Sequence, residues 1–343
     1  MKKYYISSKA GLSGICKYSH DFYELVLKDK GYIFIDSNDN LTTIFTRISS
    51  IDIVHIEIGI FQRKEIEILF AMLNANYKNV IITMHDAPLL KYPLHEFENA
   101  FFNKISKFYD KYIDKFSNSR LYLSKIKTIY VLSEKGLRAV KSKYKIDNVY
   151  FLPHIIDTTE VIIDGAINNN FIYFGFIGRN KGIEYSLKLH KQLLTNYPES
   201  NFFVIGRAMG KENHFYDFLK ETYNTNVHYL GYVPEEELNE VFEMATFSLM
   251  TFKNYKFYHP FSGSLLYNLK KGKIVFATNS NSVGEVIHDG KNGFLLSGEI
   301  KKDVEIVSGI ISNKHLLNDI KNEVHNYLML NHTNTIVSNN LLD

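Results

Sequence analysis

The 343-residue chain has one cysteine, Cys16, and no tryptophan. A single cysteine excludes a disulfide scaffold and any zinc site built on cysteines, and it fits a reducing compartment. With no histidine argued as its partner, Cys16 reads as a small hydrophobe. No apolar run approaches the ~20 residues a membrane span needs. The opening Met1-Lys2-Lys3 lacks the apolar segment of a signal peptide, which points to a cytoplasmic protein. The thirteen histidines show no ligand spacing on a common helix face, so no metal is expected. The net charge of +3 is too small for a dedicated nucleic-acid binder.

What is present belongs to a soluble globular protein. With 45% hydrophobic and 22% charged residues, disorder as the dominant state is excluded, and the length suits two domains. Short β-branched runs at 4–7, 32–36, 53–56, 80–84, 128–132 and 149–152 alternate with amphipathic helical stretches. A second series follows at 171–177, 201–205, 227–230, 247–250 and 274–277. Such alternation predicts α/β architecture with parallel sheets. Two series predict two doubly wound domains, 1–157 and 158–314. The break falls where Asp164-Gly165 and Asn168-Asn169-Asn170 interrupt the pattern. The remaining segment, 315–343, is expected to pack helically and to cross back to the first domain.

Charge is unevenly spread. Residues 101–150 hold twelve Lys+Arg against four Asp+Glu. At helical periodicity Phe101, Phe102, Ile105, Phe108, Tyr109, Tyr112, Ile113 and Phe116 share one sector, with Lys104, Lys107, Lys111 and Lys115 beside it. Two readings stand: a core helix with a solvated lysine face, or a contact of 101–127 with anionic lipid.

The second half carries the chemistry. The run 171–177 leads into Gly178-Arg179-Asn180-Lys181-Gly182 and then a helical pattern. Glycines at a strand-to-helix turn let backbone N–H groups approach a phosphate, and Arg179 and Lys181 add full charges there. An ordinary loop with two solvated cations reads equally well. Further on, Ser262-Gly263-Ser264 precedes an apolar helix that ends at Lys271-Gly272, a second arrangement suited to phosphate. Gly231-Tyr232-Val233 precedes an acidic helix start, and Glu285-Val286-Ile287 precedes the turn from Asp289 to Gly293.

The order and spacing of these segments resemble the donor domain of the family-four glycosyltransferases, whose fold is GT-B. The first half is similar more weakly, through Gly11 to Gly14, Met84-His85-Asp86, Val131 to Glu134 and Leu152 to Asp157. The resemblance covers about residues 1–300 and implies two Rossmann-like domains facing across a cleft. The first would bind a glycan or lipid-linked acceptor and the second a nucleotide sugar, UDP- or GDP-linked. It also implies transfer with retention, without a metal or other cofactor, in bacterial surface polysaccharide assembly. Arg179 and Lys181 would neutralise the diphosphate leaving group. Gly178, Ser262, Gly263 and Ser264 would help bind it, and Tyr232 and Val233 would hold the base. Gly11 and Gly14 would let the first domain approach the donor. His85 would face the sugar, with Glu285 near the donor.

One departure stands out. The two glutamates that this family carries eight positions apart are replaced by His259 and Tyr267. His259 can hydrogen-bond a sugar hydroxyl. Tyr267 can bond or stack on a ribose but cannot accept two hydroxyls as a carboxylate does. Three readings follow: an active enzyme with altered donor recognition, a non-catalytic subunit of a glycosylation complex, or a nucleotide-sugar epimerase on the same fold. The polar residues also have plainer readings: His85 and His154 as satisfied structural histidines, and Glu285 as a helix-start acid.

Overall fold

The computed structural model describes residues 1–9, 14–60, 62–90, 101–102, 104–105, 119–159, 161, 167–208, 210, 212–255 and 258–342. Gly11 and most of 101–127 therefore lie outside the described residues. The chain divides into two units. The first takes Met1–Ile155, Phe257–Phe261 and Asn334–Asp343; the second takes Ile156–Lys256 and Ser262–Thr333.

The first unit is built on a six-stranded sheet of β1 (Lys3–Ser7), β2 (Tyr32–Asp36), β3 (Ile53–Ile58), β4 (Val80–Met84), β5 (Thr128–Val131) and β6 (Val149–Phe151), in the order β2-β1-β3-β4-β5-β6. Each pairing is parallel, with Tyr4 beside Val54 and Ile82 beside Ile129. A parallel sheet is covered on both faces, so its inner strands are apolar throughout rather than alternating. β3 and β4 are accordingly buried at every position. One face packs Ile6, Ile56, Ile82 and Val131 against Leu69, Met72 and Leu73 of the helix Arg63–Asn74. The other packs Tyr5 and Tyr130 against Tyr18 and Phe22 of the helix Gly14–Phe22 and against Val337.

The second unit repeats the plan with β7 (Phe171–Phe174), β8 (Phe202–Ile205), β9 (Val227–Gly231), β10 (Phe247–Met250), β11 (Ile274–Thr278) and β12 (Phe294–Leu296). Their order is β12-β11-β10-β7-β8-β9, again all parallel. The helix Lys314–Asn331 belongs here, burying Leu317, Ile320, Val324 and Leu328. Only 334–343 of the final segment belongs to the first unit, through the helix Asn334–Asn339.

Two local differences from the sequence pattern have physical causes. The run 171–177 is not one strand: β7 stops at Phe174 because Gly175 takes φ +142°, and pairing resumes only at the Ile177–Ala208 bridge. β12 is a strand that the pattern did not single out. It has three residues and directly follows a glycine turn, too short for periodicity to register.

Each unit buries a histidine that burial pushes down to about 4. His55 lies in β3, wholly buried. His190 lies in the helix Ile183–Leu193, with its ring centroid 5.3 Å from that of Phe202. The unfolded chain protonates both near pH 6.5, whereas the folded protein refuses the proton until about pH 4. The stabilising effect is therefore fully present above pH 6.5 and is lost as pH falls toward 4. The loss is about 3 kcal/mol for each histidine. Urea unfolding at a series of pH values should show this loss, and His190→Gln should flatten the slope. An unchanged slope in that variant would contradict the role given to His190.

Candidate functional site

The second sheet reverses its direction of growth at β7 and β10: β8 and β9 add on one side, β11 and β12 on the other. Ligands of open α/β sheets bind at the carboxyl ends of the strands where this reversal falls. Arg179 and Lys181 sit there. They form a single 3-10 turn, Arg179–Lys181, between Gly178 in extended backbone and Gly182 at φ +73°. The turn is pinned to the end of β10. Thr251 Oγ1 donates to the Gly182 carbonyl at 2.8 Å and also meets Ser186 Oγ at 2.7 Å. Space is so tight that a Cβ on Gly182 would stand 1.6 Å from the Thr251 carbonyl oxygen.

The cations of the turn rest on aromatic rings. The Arg179 guanidinium lies 4.6 Å from the Phe215 ring centroid, and the Lys181 ammonium 5.8 Å from that of Phe252. The Arg179 amide donates to Glu212 Oε2 at 3.1 Å.

The serine segment converges on the same strand ends. Ser262 caps the helix Gly263–Lys270, its hydroxyl accepting from Leu265 N at 3.3 Å and lying 3.1 Å from Ser264 Oγ. Ser264 Oγ lies 3.4 Å from where a Cβ on Gly175 would stand, and the same construction on Gly206 falls 1.8 Å from the Gly175 carbonyl. The ends of β7 and β8 and the start of this helix are therefore packed backbone to backbone, with only a serine between.

Other expected residues fall on both units. Tyr232 is 57% exposed just after β9, while Val233 packs on the apolar cluster around Phe242. Tyr267 joins that cluster, its ring centroid 4.9 Å from that of Phe174 and 5.5 Å from that of Phe242. Its ring is partly buried against that cluster. Glu285 lies in the short helix Val283–Val286, where its carbonyl accepts from the Tyr327 hydroxyl at 3.5 Å.

His259 belongs to the first unit, where its amide donates to the Ala87 carbonyl at 2.7 Å. Gly14, exposed, starts the helix Gly14–Phe22. His85 follows β4, 9% exposed, with Nε2 at 2.7 Å from Glu57 Oε2. Sequence reasoning did not single out Glu57, nor Thr251 and Gly175. For Glu57 a signal existed: it is an acid inside a strand that is otherwise apolar except for His55. Among the described residues, no group of three or more His, Cys, Asp or Glu side chains is arranged to hold a metal ion. No helix among them is long and apolar enough to cross a membrane.

Two doubly wound parallel units in one chain agree with the GT-B architecture, and the solved glycosyltransferases on which the chain superposes carry that fold. Residues 165–326 match the model of the family described as glycosyl transferases group 1, a stretch that lies almost wholly in the second unit. No curated protein matches. Among solved structures, the chain superposes on Anabaena HepE in complex with UDP, with a TM-score of 0.72 at 12% identity, covering 99% of this chain and 98% of that one. A HepE structure with UDP-glucose gives 0.71, also at 12% identity, covering 99% and 97% of the two chains. S. aureus TarM, solved as a point mutant with fondaparinux, alpha-GlcNAc-glycerol and UDP, gives 0.67 at 15% identity and 88% coverage of this chain. This chain spans 57% of the TarM chain.

Proposed function

We propose that the protein transfers a sugar from a nucleoside-diphosphate sugar, UDP- or GDP-linked, to a glycan or lipid-linked acceptor. The observation that carries this reading is the Arg179–Lys181 turn, pinned by Gly182 to β10 and lying at the reversal point of the sheet. HepE, similar over nearly its whole length, was solved with UDP and with UDP-glucose, which favours a uridine nucleotide.

In this reading the bond between the anomeric carbon and the diphosphate oxygen breaks. Arg179 and Lys181 stabilise the negative charge that develops on the leaving diphosphate, which removes the need for a divalent cation. A bond from the acceptor hydroxyl to the anomeric carbon forms on the same face, with retention. The hydroxyl proton passes to the leaving diphosphate. Ser262, Gly263 and Ser264 hold the phosphates, Tyr232 and Val233 the base, and His85 the sugar. Glu285, His259 and Gly14 complete the donor environment. Cytoplasmic surface-polysaccharide assembly, with 101–127 meeting anionic lipid, belongs to the same proposal.

A second reading has a specific observation behind it. Tyr267 stands where the family resemblance calls for a carboxylate, and its ring packs among Phe174 and Phe242. A non-catalytic subunit that has lost donor binding would look the same. A thermal-shift screen against UDP, GDP, ADP, CMP and dTDP separates the two. A nucleotide at 100 Kd stabilises by about 2.7 kcal/mol. The expected result is a clear shift with UDP. No shift with any nucleotide would overturn the transferase reading in favour of the silent subunit. With the base known, a product that is still a free nucleotide sugar would instead identify an epimerase.

A further inference from the structure

The first unit contains a buried polar cluster that glycosyl transfer, as set out above, does not explain. Its centre is Glu57, with no exposed surface, in the middle of the sheet. A carboxylate removed from water costs several kcal/mol unless it is paired and hydrogen-bonded. Its Oε2 meets His85 Nε2 at 2.7 Å, while Oε1 makes no hydrogen bond and lies 3.6 Å from His55 Nε2.

The groups facing this pair come from every element around it. His55 of β3 is turned to Thr83 of β4, Nε2 to Oγ1 at 2.7 Å, and burial holds it neutral. Tyr5 of β1 and Tyr18 of the helix Gly14–Phe22 are both pushed well up, by burial first and then by the Glu57 charge, so they remain neutral phenols. The Tyr18 ring stands edge-on to His85 at 4.9 Å and to His154 at 4.7 Å. Tyr130 of β5 packs on His55 at 5.8 Å. Among the described residues, the ion-pair partners of Glu57 are His85 and His55 alone. His55 is neutral and turned to Thr83. The Tyr5 hydroxyl also faces the carboxylate, and the close hydrogen-bonded ion-pair partner of Glu57 is His85.

Which nitrogen of a histidine carries the proton is set by the partner of the other. A carboxylate accepts only, so His85 Nε2 must donate to it. We propose that Glu57 is the positioning residue for His85: it holds the ring with Nε2–H toward the carboxylate and leaves Nδ1 as the nitrogen that meets a sugar hydroxyl. The Tyr18 ring fixes the plane of the imidazole, and the His85 amide donates to the Ile58 carbonyl at 2.9 Å, which fixes its backbone. Nδ1 then accepts the hydrogen of a hydroxyl, which makes the ligand a hydroxyl-bearing sugar and not an anion. This rests on the donor-sugar role given to His85 above.

Long-range proton–nitrogen spectra of labelled protein read the tautomer directly, with His85→Asn assigning the signals. The expected wild-type result is the Nε2–H form. Wild-type protein with Nδ1–H and bare Nε2 would overturn the proposal without any variant. In Glu57→Gln the His85 nitrogen signals should move, and kcat with the donor found in the nucleotide screen should fall roughly 10- to 100-fold, as for other groups that orient a working histidine. Donor KM should change less than about threefold, and Glu57→Asp should recover part of the loss. Unchanged His85 signals in Glu57→Gln would overturn it. If the wild-type protein turns over no nucleotide sugar, the transferase reading fails, while the tautomer still decides the role of Glu57.

Discussion

Lys181→Ala is expected to lower kcat by about 10²–10³-fold, the usual cost of removing one preorganised charge-stabilising group, while the melting temperature stays within a few degrees of wild type. The two halves of this result have separate causes. The main chain of Lys181 helps build the turn, its amide donating to the Gly178 carbonyl at 2.9 Å, and alanine preserves that bond. The side chain reaches over Phe252 and supplies charge where the diphosphate is proposed to leave. Arg179→Ala should act in the same direction but cost some stability as well, because its guanidinium covers the Phe215 ring. The double variant should lose less than the product of the two, since both cations act on one leaving group. Steady-state kinetics with the nucleotide sugar identified in the binding screen, beside a melting curve, give the answer. A Lys181→Ala enzyme with near wild-type kcat removes Lys181 from the mechanism.

Gly182→Ala is expected to be among the most damaging single-methyl changes in the second unit, costing more than about 4 kcal/mol. Two penalties combine. At φ +73° an added Cβ is strained in itself, by roughly 1–2 kcal/mol. It would also stand 1.6 Å from the Thr251 carbonyl oxygen and 2.5 Å from its carbon, so the backbone at the end of β10 has to move. Gly290 provides the comparison. Its φ is +72°, almost the same, but nothing lies within 4 Å of the position a Cβ would take. Gly290→Ala should therefore lose only the first penalty. Denaturant unfolding of the two variants measures the difference, and equal losses would show that the Thr251 contact yields easily.

The parallel sheets were legible because a strand buried on both faces is an unbroken apolar run. β3, β4, β10 and β11 announce themselves that way. β12 did not, being three residues long. The Gly178–Gly182 loop was legible for the opposite reason, as glycines and cations between two apolar stretches. Its anchor was not, because Thr251 is an unremarked threonine 69 positions away until the fold brings it to Gly182. Glu57 lay in plain view as an acid in an apolar strand, yet its partner is fixed by the pairing of β3 with β4, which puts Ile58 opposite Met84 just before His85. Spacing along the chain carries no such information. Tyr267 shows the limit from the other side. Its position in the pattern was clear, but its packing against Phe174 and Phe242 depends on side chains from two other elements.

The first unit is made in pieces. Val337 lies in the same apolar cluster as Tyr5, Phe22 and Tyr130, and the Leu342 amide donates to the Tyr130 hydroxyl at 2.7 Å. Those residues leave the ribosome only after the whole second unit has been synthesised. The half that is translated first is thus finished last. During elongation it holds an apolar seam open on one face of its sheet, the kind of surface on which chaperones act.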